Sequence, residues 1–121
     1  MIIAIDFDGT IVRGKYPDID GLQPYAKQVI NELISEGHYV IIWTCRTGEK
    51  LVEAVNYLLE QGVKFNRIND HEPVNASRYV GIGRKIYAHC YIDDKNIFGF
   101  PGWKECEKEI QRLETEYKAA H

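Results

Sequence analysis

No stretch of the chain approaches the ~20 consecutive apolar residues of a membrane span, so none of it reads as a transmembrane helix. Cysteine is scarce as well. Cys45, Cys90 and Cys106 form no CxxC pair and leave an odd thiol under any pairing, which argues against a disulfide framework and against a zinc site. They read as reduced packing residues of a cytoplasmic protein. Nor is there an excess of positive charge. Fifteen Lys and Arg against eighteen Asp and Glu leave a formal net charge of -3. That balance lacks the basic footprint of a dedicated nucleic-acid binder, although a local basic patch fits within it. The opening Met1-Ile2-Ile3-Ala4-Ile5-Asp6 is too short for the apolar core of a signal peptide. Repeats, low-complexity tracts and linkers are missing. At 121 residues, two independent cores would each be too small. The expectation is one soluble domain over residues 1–121. Its 45% hydrophobic and 27% charged content is that of a globular protein and excludes wholesale disorder.

What is present alternates between strand and helix. Ile2 to Ile5 is a short β-branched run of the kind buried on both faces of a sheet. A loop rich in Gly, Pro and Asp runs from Gly9 to Gln23, and Pro24 suits a first helical position. Val29, Ile30, Leu33 and Ile34 make an apolar stripe that stops at Gly37. Tyr39 to Trp43 is a second buried strand. Thr47 is placed to cap a helix carrying Leu51, Val52, Val55, Leu58 and Leu59, which Gly62 ends. Val63 to Ile68 reads as a weaker strand, Asn69 to Gly83 as polar and turn-rich, Ile86 to Ile92 as a strand, and Trp103 to Ala119 as a helix. The pattern predicts an α/β domain, a mostly parallel sheet with helices on both faces. In such sheets ligands bind beyond the carboxyl ends of the strands.

Those ends are polar. The first strand runs into Asp6-Phe7-Asp8-Gly9-Thr10, the second into Thr44-Cys45-Arg46, and the last into Asp93-Asp94. One acidic turn is ordinary, because Asp is a common turn and cap residue. Three polar sets at three buried strand ends are not. Carboxylates gathered on one edge repel each other, and burying them is costly unless a cation neutralises them. Oxygen ligands without Cys or His partners favour Mg²⁺, which also accepts phosphate oxygens.

Asp-x-Asp-Gly-Thr fixes four positions, and at residue frequencies of about 5–7% it arises by chance roughly once in 10⁵ start positions. Here the chain resembles the haloacid dehalogenase superfamily, specifically its aspartate-nucleophile phosphatases. The likeness runs over nearly the whole chain in the family's motif order: Asp6-x-Asp8-Gly9-Thr10, Thr44 after Ile41-Ile42-Trp43, Lys85, and Asp93-Asp94 after Cys90-Tyr91-Ile92. The resemblance implies a three-layer Rossmann-like domain and a Mg²⁺-dependent phosphomonoester hydrolase. Asp6 would be the nucleophile and form an aspartyl-phosphate. Asp8 would protonate the leaving group and then activate water. The Asp6 carboxylate, the Asp8 backbone carbonyl and Asp93 would hold the metal, with Asp94 ligating through water or supporting them. Gly9 would permit the sharp turn that brings the carbonyl to the metal. Thr44 would donate to a phosphoryl oxygen, and Lys85 would neutralise the transferring group, with Arg84 and Lys95 as competing cations. Gly9, Thr10, Arg46 and Arg13 are the expected substrate contacts, together with Lys15 and Tyr16 of the loop.

Relatives usually insert a cap domain after the first motif or between the second and third, and neither gap here has residues to spare. A capless member is expected, its site partly roofed by Ile11 to Gln23. An uncapped site points either to a large phosphorylated substrate or to a homo-oligomer in which a neighbour forms the lid. The acidic balance argues mildly against polynucleotides. Two other classes share some of these features. A catalytically idle module would keep the fold and the metal but has no need of the Asp8 side chain. A receiver-like phospho-acceptor places its acidic pair after the first strand and its acceptor Asp after a middle strand, an order not seen here.

Overall fold

The structure is a computed structural model that describes residues 1–78 and 83–121. Four parallel strands, β1 (Ile2–Ile5), β2 (Tyr39–Ile42), β3 (Arg67–Ile68) and β4 (Cys90–Ile92), form a sheet in the order β3-β2-β1-β4. The helices are α1 (Ala26–Ser35), α2 (Gly48–Gln61), α3 (Pro73–Arg78) and α4 (Trp103–Ala120). The α/β class and the mostly parallel sheet expected from the sequence are what the chain adopts.

β1 is buried along its whole length, as its β-branched run requires. Ile3 and Ile5 join Val40, Ile42 and the inner faces of α1, α2 and α4 in the main core. Ile2 and Ala4 point the other way, with Ile41, and meet Ile86 and Ala88. Ile86 and Ala88 cover part of this second face, and Val74 and Asn75 of α3 line a cavity beside Ile2. On α1 the buried residues Ala26, Val29, Ile30 and Leu33 follow the helical repeat. α2 stops at Gly62, whose positive φ of 71° lets its N–H turn back to the Leu58 and Leu59 carbonyls.

Several boundaries differ from expectation, each because another contact displaces the regular ladder. α1 begins at Ala26 rather than Pro24, since Tyr25 is left-handed (φ 64°). Gln23 is drawn into the preceding loop by bonds to the Ile11 and Gly9 carbonyls. β3 is two residues long. The segment before it is anchored on α1, where the Asn31 carboxamide oxygen accepts from the Lys64 N–H at 2.8 Å. β4 starts at Cys90 and not at Ile86: Ile86 and Ala88 are buried, but their backbone pairs with the Tyr91 hydroxyl instead of a strand. The polar stretch after β3 contains α3. Residues 97–100 add no strand to the sheet, and Ile97 and Phe98 are fully exposed. Among the described residues, no helix is long and apolar enough to cross a membrane.

Candidate active site

Three adjacent strands, β2, β1 and the edge strand β4, deliver their ends to one place. Asp6 continues the β1–β4 ladder by donating its N–H to the Ile92 carbonyl at 2.9 Å, and Trp43 does likewise to Ile5 at 2.8 Å. Asp6, Asp8, Thr44, Cys45, Arg46, Asp93 and Asp94 therefore line one cavity of about 470 Å³, closed on its flanks by Tyr16 and Lys95. The loop expected to roof the site, Ile11 to Gln23, reaches this cavity through Tyr16. It is braced by an antiparallel bridge, with Arg13 N–H bonded to the Gly21 carbonyl and Asp20 N–H to that of Arg13, both at 2.8 Å.

Asp6, Asp93 and Asp94 offer one oxygen each within 4.8 Å of one another. Burial first, then the charge of Asp93 and hydrogen bonding to Asp94, push the Asp6 carboxyl up to about 7, against a bond from the Thr10 hydroxyl that favours its ionised form. Burial also opposes the charge on Asp94, yet hydrogen bonds from Lys95 and from the neighbouring acids hold it below the ordinary range. A carboxyl that holds its proton up to about pH 7 for want of a counter-charge is the environment a divalent cation resolves, and an all-oxygen donor set suits a hard one. These residues fit a Mg²⁺-type ion. Thr10 ties the pieces together: its hydroxyl donates to Asp6 at 3.1 Å and accepts from the Asp94 N–H at 2.9 Å. Its own carbonyl accepts from the Trp103 indole at 2.8 Å. Gly9 has φ +79°, and a Cβ there would run into the Asp94 carboxylate. Its glycine is required by conformation and by space.

The Asp8 side chain is turned away from this cluster. Arg46 grips it with two bonds, Nε to Oδ2 at 2.8 Å and NH2 to Oδ1 at 2.7 Å. Arg46 is only 1% exposed, and the bonds from Asp8 raise its pKa still further. Two other sequence-predicted cations also stand elsewhere than expected. Lys85 is exposed and lies over the Tyr91 ring at 5.0 Å, outside the cavity lining, whereas Lys95 is in it. The sequence pattern places Lys85 immediately before a strand starting at Ile86, but residues 84 and 85 form a bend and β4 begins only at Cys90. Arg13 is exposed and lies against Gly21, away from the cavity wall. Arg46 is at the site, but as the partner of Asp8 and not as a free anion donor.

Thr44 sits at the end of β2 with its hydroxyl accepting the Arg46 N–H at 3.1 Å. Asn69 holds it from the side: the carboxamide accepts from the Thr44 N–H at 2.8 Å and donates to its carbonyl at 2.9 Å. Sequence reading missed Asn69. Its left-handed backbone (φ 51°) at a strand end is a setting Asn tolerates, and the Asn-Asp pair after β3 was the available signal.

A sequence profile described as haloacid dehalogenase-like hydrolase matches residues 3–72. The chain belongs to that family. It is also similar to a solved structure, the "conserved protein coded by locus from Bacteroides thetaiotaomicron", at 38% identity over 93% of this chain and 90% of that one, with a TM-score of 0.82. Among curated proteins none matches this hydrolase.

Proposed function

We propose that this hydrolase is a Mg²⁺-dependent phosphatase that cleaves phosphoric monoesters through an aspartyl-phosphate on Asp6. The observation that carries the reading is the presence of two carboxylates, Asp6 and Asp8, in one cavity but in unlike surroundings. A carboxylate oxygen of Asp6 attacks phosphorus, and the bond to the ester oxygen breaks as that oxygen takes the proton of Asp8, which has to enter the step in its acid form. Water then attacks the acyl phosphate and gives a proton to Asp8. The Asp6–phosphorus bond breaks and inorganic phosphate leaves. Asp6, Asp93 and the Asp8 carbonyl would hold the ion, whose role when bound is to neutralise charge on the phosphoryl oxygens and on the carboxylates. Thr44 donates its hydroxyl to a phosphoryl oxygen, and Lys95 supplies the side-chain cation assigned to Lys85 from the sequence.

The test is a Mg²⁺-dependent screen over phosphate esters, including sugar phosphates, nucleotides and 3′-phosphorylated DNA ends, with acid-quench capture of phosphoenzyme. Turnover that requires both metal and Asp6 is expected. If no ester turns over with any divalent metal, the idle-module reading takes its place, and the complete pairing of Asp8 by Arg46 is the observation that favours it.

A further inference from the structure

Arg46 joins more of the site than any other side chain. Its Nε and one NH2 hydrogen take both oxygens of Asp8, NH2 also donates to the Pro17 carbonyl at 3.0 Å, and NH1 donates to that of Lys50 at 3.1 Å. Four of its five N–H groups are thus committed. The guanidinium carbon stands 5.1 Å from the ring centres of both Phe7 and Tyr16, within reach of a cation–π attraction to each. Asp8 and Phe7 follow β1, Tyr16 and Pro17 belong to the roof loop, and Lys50 lies in the first turn of α2. One planar, rigid group therefore fastens three otherwise separate pieces of backbone.

We infer that Arg46 is a positioning residue that carries the Asp8 carboxylate and the roof loop as one unit, setting the direction from which a leaving oxygen meets its proton donor. This rests on the phosphatase reading. Unless it releases Asp8, Arg46 has a single N–H left for a phosphate oxygen, and the side chain is buried. The roof loop is then a fixed wall, held through Pro17 and Tyr16, and not a lid that closes over substrate. A donor held in place matters most when the leaving oxygen needs its proton, so damage to Arg46 is felt unequally by different esters.

The experiment compares wild type with Arg46→Gln, Arg46→Lys and Tyr16→Ala on ethyl phosphate and p-nitrophenyl phosphate. Alongside it, hydrogen exchange is read at the Arg13 and Asp20 amides of the roof. Arg46→Gln is expected to lower kcat on ethyl phosphate by about 10²-fold, the scale of a displaced general acid, and on p-nitrophenyl phosphate by about tenfold or less, with KM nearly constant. Arg46→Lys recovers part of the loss, since it restores the charge without the two-pronged grip. Both Gln and Ala variants speed exchange at the two roof amides, and the doubly substituted protein loses less than the product of the single losses. Equal losses on both esters, a loss confined to KM, or unchanged roof exchange would overturn the inference. If the wild type turns over neither ester, an alkyl and an aryl ester that it does accept from the wider panel replace them. If it accepts none of that panel, the phosphatase reading fails. In that case the exchange measurement alone decides whether Arg46 holds the roof, and Arg46→Lys is the variant to use should Arg46→Gln not fold.

Discussion

Asp6 and Asp8 leave the same strand two residues apart, yet their surroundings treat their charge in opposite ways. Asp6 faces Asp93 and Asp94 with only a threonine hydroxyl to favour its anion, and its carboxyl keeps a proton up to about pH 7. Asp8 has a buried guanidinium bonded to both oxygens. One lies in a deficit of positive charge and the other in a local balance. The difference shows how two identical side chains acquire separate chemical tasks: environment, and not residue type, assigns the role.

Substitutions can break that contrast. Asp6→Asn should abolish turnover and phosphoenzyme formation together, because an amide is a far poorer nucleophile and the cluster loses an oxygen donor. Acid-quench labelling with a radioactive ester checks it, and a phosphoenzyme surviving in this variant reassigns the nucleophile. Asp8→Asn should cut turnover of alkyl phosphates by roughly 10²–10⁴-fold while metal affinity changes little, since the backbone carbonyl remains. Titration with Mg²⁺ beside the kinetics separates the two effects. Gly9→Ala acts on the acidic side alone: the added methyl collides with Asp94, and Mg²⁺ affinity should weaken by about 10–100-fold while the Asp8–Arg46 pair stays intact.

Metal-free melting sharpens the same contrast. When unfolded, Asp6 ionises near its ordinary 3.8, and when folded near 7. Below the lower value both states are protonated and the group contributes nothing. Between the two values only the unfolded chain ionises, so stability falls as pH rises, and above about 7 the loss is complete. The melting temperature should therefore decline across that interval in EDTA. Asp6→Asn should flatten the decline, and Mg²⁺ at neutral pH should reverse it. A wild-type curve that rises across the interval instead would show that Asp6 is not the strained acid. The smallest effect expected is that of Asn69→Ala, which removes two bonds to the Thr44 backbone and should cost about 1–3 kcal/mol in urea unfolding with Mg²⁺ affinity unchanged.

How much of this was legible in the sequence depends on whether the signal was local. Ile2–Ile5 and Asp6-x-Asp8-Gly9-Thr10 are contiguous, so the strand, the turn and the acidic edge could be read directly. Ile86 to Ile92 reads as one strand, yet Ile86 and Ala88 lack a strand partner, because their backbone groups go to the Tyr91 hydroxyl, which the linear pattern does not show. Arg46 was recognised as a rim residue but given the wrong neighbour. A sequence shows that an arginine follows Thr44; it does not show that Asp8, 38 residues earlier, reaches its guanidinium first. Asn69 and Thr44, 25 residues apart, were hidden for the same reason.

The bond from the Trp103 indole to the Thr10 carbonyl spans 93 residues of chain. Thr10 in turn positions Asp6 and the Asp94 backbone. The first motif is thus seated by a residue that follows it by most of the described domain, at the start of α4. β4 and Asp93-Asp94 are equally late. The acidic pit is therefore complete only when Asp93-Asp94 and α4 stand beside β1. Long-range closure of this kind slows folding, and here it also makes the reactive centre a completion signal of the folded chain.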